Sequence, residues 1–165
     1  MFDSIITTLL KHSYRGEFRF SVSDAIFNEM VAKKLNIPGI AAIDIASMHK
    51  YLQARVYLGL SRKYSFKIDI KLEYDGFRAG NKTAVLVFNW ACPKLVKKVV
   101  LPRIEKLEFI STRDGKLSLD LYKTKSLQDN EQIMGILSTL RHLEVGFSPG
   151  VVAFRAKLLN DRREG

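Results

Sequence analysis

Between Lys63 and Tyr74 the chain alternates without a break. Tyr64, Phe66, Ile68, Ile70, Leu72 and Tyr74 are interleaved with Lys63, Ser65, Lys67, Asp69, Lys71 and Glu73. Successive side chains of a β-strand point to opposite faces, so this pattern predicts a strand with one apolar and one wet face. At about 3.3 Å per residue it would run ~40 Å, roughly twice an ordinary strand. Fully burying its apolar face is worth about 10 kcal/mol, at roughly 1.5–3 kcal/mol per large side chain. A face of that length needs a cover: a core, a partner or an apolar ligand.

The other segments read in the same terms. Residues 1–12 carry Phe2, Ile5, Ile6, Leu9 and Leu10 at the spacing of a short amphipathic helix. Phe18 and Phe20 share one face of a strand over 16–22. Ser23 is placed as an N-cap, with Asp24 in the first turn and Val22 set to staple against Phe27. Ile26, Phe27, Met30, Val31 and Leu35 make that helix's apolar stripe, and Pro38 stops it. From 40 to 90 the pattern is a β-meander, with "GNK" at 80–82 as a turn. A second helix is expected from Pro93, a favoured first position, to Pro102. A hairpin with Asp114-Gly115 at its tip spans 104–123. A third helix is expected over about 127–140, capped by Ser126 with Asp129 in the capping-box position. A closing hairpin covers 143–159, and 160–165 is a polar tail. No repeat or linker interrupts the order, which predicts one α+β domain over 1–165.

Composition narrows the class. The 165 residues are 47% hydrophobic and 27% charged, as in globular domains. No apolar run approaches the ~20 residues of a membrane-spanning helix. The first residues, "MFDSIITTLLKH", place Asp3 before a short apolar segment with no basic lead, unlike a signal peptide. A single cysteine precludes an intrachain disulfide, and a cytoplasmic location is the expectation. The net charge of +10 predicts attraction to polyanions, whether nucleic acid, an anionic membrane surface or acidic partners.

Candidate chemistry is sparse. Cys92, in "WACPK", precedes a helix N-terminus and Lys94, a setting that can activate a thiol; the competing reading is a packed, half-buried sulfur. His12, His49 and His142 lie in separate elements without metal-ligand spacing. Acids such as Asp69 and Glu73 alternate with lysines, as on a solvated face. Phosphate-loop, dinucleotide and serine-hydrolase motifs are absent. The reading is therefore a non-enzyme without a cofactor. Lys63, Lys67 and Lys71 form a basic stripe, but Tyr64, Phe66 and Tyr74 fall on the opposite strand face, whereas a single-strand binder needs both on one face.

One resemblance bears on this. The helix "SVSDAIFNEMVAKKLNIPG" leads into long meander strands, a helix, a DG hairpin, another helix and the strand "GVVAFRAKL". With the loose helix start carried by Ser23, Phe27, Asn28 and Val31, this order over 18–159 resembles the small bacterial members of the tubular lipid-binding (TULIP-like) superfamily. The resemblance implies a highly curved antiparallel sheet wrapping one or more helices, with an apolar groove for acyl chains. On that reading Phe66, Ile68, Ile70, Leu72, Val56, Leu58, Phe88 and Trp90 line a groove against Phe27, Met30 and Val31. Lys94, Lys97, Lys98 and Arg103 would favour an anionic membrane surface, making the protein a peripheral one. The expected partner is then a lipid or fatty-acid-like ligand. The alternative is a basic nucleic-acid-binding or protein-interaction module with a fully packed core.

Overall fold

The computed structural model describes residues 16–34 and 36–159. The helix expected over 1–12, Leu35 and the tail 160–165 lie outside the described residues. In chain order the elements are β1 (Glu17–Ser23), α1 (Asp24–Lys34), β2 (Ile40–Ser47), β3 (Leu52–Gly59), β4 (Ser65–Gly80) and β5 (Thr83–Ala91). There follow α2 (Lys94–Ile104), β6 (Ile110–Arg113), β7 (Lys116–Asp120), a 3-10 turn (Leu121–Lys123), α3 (Lys125–Gln128), α4 (Glu131–Thr139), β8 (Leu140–Ser148) and β9 (Val151–Leu158). The protein is α+β. Its larger sheet has the order β2-β3-β4-β5-β7-β6 and its smaller sheet β1-β9-β8, with antiparallel pairing throughout.

The 16-residue β4 is long because it serves two neighbours in turn. β3 pairs with Ser65–Leu72, and β5 pairs with Lys71–Gly80. Only Lys71 and Leu72 have a partner on both sides. A register shift between Tyr74 and Gly76 adds the local bend and twist of a β-bulge. The offset and the bulge give a curved, stepped meander.

What covers the apolar face of β4 from Ile68 to Tyr74 is the protein itself. Val56, Ile70, Leu86, Phe88 and Trp90 of the large sheet share one buried cluster with Val100 of α2 and Leu137 of α4. Ala84 and Leu117 of the large sheet and Leu140, Leu143, Val145, Val152 and Ala156 of the small sheet complete it. The sheets meet where β8 runs along the second half of β4, and the Tyr74 hydroxyl donates to the Leu143 carbonyl.

Local signals explain most element ends. The Ser23 hydroxyl accepts from the Ile26 amide at 3.4 Å, as an N-cap does. Asp24 reaches back to β2, accepting from the Ser47 amide at 2.8 Å and from its hydroxyl. At the β6–β7 turn both Asp114 and Gly115 have positive φ, the requirement of a type I′ hairpin.

Two helix boundaries differ from expectation. Pro102 does not end α2, which runs on to Ile104. So late in a helix the missing proline amide forfeits only its bond to the Lys98 carbonyl, while Arg103 Nη1 donates to the neighbouring Val99 carbonyl at 2.7 Å. The helix expected over 127–140 is broken into α3 and α4. Asn130 is the stronger cap, its Oδ1 accepting from the amides of Gln132 at 3.0 Å and Ile133 at 3.1 Å. Ser126 instead lies within α3, and Leu140 already belongs to β8.

Candidate functional site

The residues expected to line a groove separate into three groups. Val56, Ile70, Phe88 and Trp90 are buried in the core, their surroundings filled by this chain's own side chains. Leu58, Ile68, Leu72 and Phe27 are half-buried and pack against that cluster, while Met30 and Val31 are half-buried on α1. Val31 faces a depression of about 230 Å³ that it shares with Asn28, Ile40, Ile43, Asp44 and Arg62. Phe66 stands apart at 82% exposure. It continues the alternation of Ile68 and Ile70 but lies at the free end of β4, opposite Leu58, outside the buried cluster and its packed neighbours. The apolar face of the meander is therefore filled where these residues were expected to leave a groove.

A larger open space lies on the small sheet. A cleft of about 550 Å³ is lined by Arg19, Phe20 and Ser21 of β1, Tyr74 of β4, Glu144, Val145 and Gly146 of β8, and Ala153, Phe154 and Arg155 of β9. The strand registers explain the hollow. Ser21 pairs with Ala153, and Ala153 with Gly146, so a row of small side chains crosses all three strands. The next row on that face is Arg19, Arg155 and Glu144, whose long side chains wall one side. Beneath, Phe20 and Phe154 stack with centroids 4.8 Å apart, Phe27 lies 6.4 Å from Phe154, and Tyr74 meets Phe88 edge-on at 6.0 Å. Phe27 and Phe88 thus adjoin the aromatic layer that underlies the small sheet. Phe20 and Phe154 were legible only as apolar strand positions, because nothing in the sequence pairs β1 with β9.

Paired charges bind this face together. Arg155 Nε donates to Glu17 Oε1 at 2.6 Å, Arg155 Nη1 lies 3.6 Å from Glu144, and Glu144 lies 3.0 Å from His142 Nε2. The hydrogen bond from Arg155 holds the Glu17 carboxyl below its ordinary range, and that from His142 does the same for Glu144. Burial, with the Glu144 charge beside it, pushes the Tyr74 phenol up.

The proposed membrane-surface cations are spread along α2. Lys94 and Lys98 are exposed, but Lys97 is half-buried with Nζ 5.1 Å from the centroid of Trp90. Arg103 lies at the far end of the helix against Gly39. Cys92 is half-buried, and burial pushes its thiol up against the opposing influence of Lys97, not of Lys94. Among the described residues no three His, Cys, Asp or Glu side chains cluster to hold a metal ion, and no helix is long and apolar enough to cross a membrane.

On the outer face of β3 and β4 the separation of lysines and aromatics does not hold. Neighbouring segments bring tyrosines to the lysine side, with Lys67 Nζ 5.8 Å from the Tyr57 centroid and Lys71 Nζ 4.5 Å from that of Tyr51. Strand alternation sorts the side chains of one strand and says nothing of those its neighbours supply. No protein-family model, curated protein or solved structure matches this chain.

Proposed function

We propose that the protein binds a lipid or another apolar ligand without chemically transforming it, and does so at an anionic membrane surface. The cleft on the small sheet is the observation that carries this reading. Its volume of about 550 Å³ falls inside the roughly 300–1,000 Å³ span of small-ligand sites. Apolar walls with a few placed polar groups are the usual make-up of such sites. Phe20, Val145 and Phe154 are among its lining residues, although their side chains lie on the core side of the small sheet, and Arg19 and Arg155, both paired with Glu17, would meet a carboxylate or phosphate head. On this reading the ligand would sit on the small sheet and not on the meander. A TULIP-like ancestry is part of the same proposal and rests on element order and the loose helix start at Ser23, Phe27, Asn28 and Val31.

The test is extraction and rebinding. Native mass spectrometry of the purified protein is expected to show a bound species that organic solvent releases. A soluble fluorescent acyl probe should bind the emptied protein, and Ala153→Trp, which fills the row of small residues, should weaken it at least tenfold without altering the far-UV spectrum. Protein that carries no ligand and ignores the probe would end the lipid reading.

A second reading has its own support. The filled core and the tyrosine–lysine contacts on the outer face of β3 and β4 suit a basic module that binds nucleic acid or an acidic protein. It predicts oligonucleotide binding whose affinity falls linearly on a log–log salt plot.

A further inference from the structure

We infer that the β3–β4 hairpin tip is the element that docks the protein on anionic lipid bilayers, by inserting Leu60, Tyr64 and Phe66 at the headgroup boundary. This rests on the membrane part of the reading above and moves docking away from the lysines of α2. Three large apolar side chains stand within seven residues at 98%, 71% and 82% exposure. Such clustering on a surface marks an interaction site.

The charge around the tip names the partner. No Asp or Glu occurs between Asp44 and Asp69, while Lys50, Arg55, Arg62, Lys63 and Lys67 do. Arg62 is spent on Asp44, its Nη2 at 2.6 Å from Oδ1 and Nη1 at 3.2 Å from Oδ2, which ties the loop back to β2. Among the described residues, Lys63 and Lys67 have no carboxylate within 4 Å, and their ammonium groups lie over the rings of Tyr64 and Tyr57. Arg103 adds a cation at the foot of the hairpin, because it packs on Gly39, whose carbonyl accepts from the Gly59 amide at 3.1 Å. Apolar side chains ringed by cations match the layering of an anionic bilayer, with hydrocarbon beneath phosphate. Tyrosine is at home at that boundary.

A bilayer also suits the shape. A protein partner needs a complementary hollow for a convex tip, and protein interfaces are depleted in lysine. Single-stranded nucleic acid needs aromatic faces lined along a groove, whereas here an aliphatic leucine is the most exposed of the three. The tip is also built to hold its form. The Tyr64 amide donates to the Ser61 carbonyl at 3.1 Å, and the Ser65 hydroxyl to the Arg62 carbonyl at 3.0 Å.

Trp90 is the sole tryptophan and is buried, so Tyr64→Trp adds an exposed reporter over a constant background. In the full-length protein its emission should be red in buffer and shift blue with phosphatidylserine-containing vesicles, but not with phosphatidylcholine alone. Leu60→Ser with Phe66→Ser should lower vesicle affinity at least tenfold and spare acyl-probe binding. Lys63→Gln with Lys67→Gln should lower it about 30-fold, from roughly 1 kcal/mol per cation near an anionic surface. Emission already blue in buffer would mean that this chain or a second copy covers the tip, and would overturn the inference. Vesicle binding that survives both tip variants but is lost in Lys94→Gln, Lys97→Gln and Lys98→Gln together would overturn it and leave the membrane reading intact. Absence of vesicle binding with retained acyl-probe binding would sink docking alone. Oligonucleotide binding lost with Lys63 and Lys67, without any vesicle association, would replace the bilayer by nucleic acid.

Discussion

The Asn28 carboxamide and the Ile45 backbone exchange two hydrogen bonds, Nδ2 donating to the carbonyl at 2.8 Å and Oδ1 accepting from the amide at 2.6 Å. β2 is an edge strand, and its outward amides and carbonyls would otherwise be open to another chain. One side chain on α1 thus stands in for a neighbouring strand, and Asp24 does the same for the Ser47 amide one turn earlier. Asn28→Ala should cost about 1–3 kcal/mol, the cost of leaving partly buried backbone groups unpaired. Asn28→Asp keeps the acceptor but loses the donor, and should cost a similar amount. Urea unfolding of the two variants decides the matter; an aspartate variant as stable as the parent would show that the two-way pairing does not hold the edge.

Two glycines should respond in opposite directions to alanine. At Gly59, with φ of +150°, an added Cβ would lie 2.3 Å from the Tyr64 carbonyl oxygen and 2.9 Å from the Ser65 Cα, both backbone atoms. Gly59→Ala should therefore cost about 1–3 kcal/mol and disturb the hairpin tip. At Gly135, inside α4, a Cβ would meet nothing within 4 Å. Gly135→Ala should raise stability by about 0.5–1 kcal/mol, since alanine is the better helix former. Thermal unfolding of both proteins gives the signs directly.

Acid should loosen the small sheet through Glu17 and Glu144. Both carboxyls sit below their ordinary value of 4.5 in the folded protein. A depressed carboxyl contributes stability that is fully present above its unfolded value and lost as pH falls through the folded one. The stability difference between the parent and Glu17→Gln should therefore be constant near neutrality and shrink as the pH falls below about 4.5 and on through the depressed folded value. A difference independent of pH across that window would assign the effect of Glu17 to packing alone.

Cys92 should behave as a core filler. Burial raises its thiol above the ordinary value of 9.0, so the thiolate is scarce at neutral pH. Reaction with a disulfide reagent should be slower than for a free thiol and should accelerate in denaturant. Cys92→Ser is expected to leave acyl-probe and vesicle binding unchanged. Rapid labelling of the native protein, with loss of either binding in the serine variant, would give the thiol a working role.

Much of the fold could be read from single residues. The DG turn, the Ser23 cap and the alternation in β4 each have a local cause, and each appears where that cause places it. The misplacements have local causes too. Ser126 and Asn130 are both residue types that cap helices, and it is Asn130 whose side chain accepts from the amides of Gln132 and Ile133. The candidate site was less legible, because it is made by pairings between distant strands. Gly146 and Ala153 are unremarkable in sequence; their alignment with Ser21 creates the hollow. Phe66 shows the converse limit. Its alternation is the same as that of Ile70, yet one is buried and the other open to solvent, since periodicity assigns a face and not a cover.

The pairing of β1 with β9 also sets an order of events during synthesis. The Arg155–Glu17 bond joins residues 138 positions apart. On a ribosome adding roughly 5–20 residues per second, β1 waits on the order of ten seconds for β9, its ladder partner among the described residues. The meander hairpins, whose contacts are local, can close in that interval. During it β1 is without β9, so a chaperone would serve this strand most in that interval.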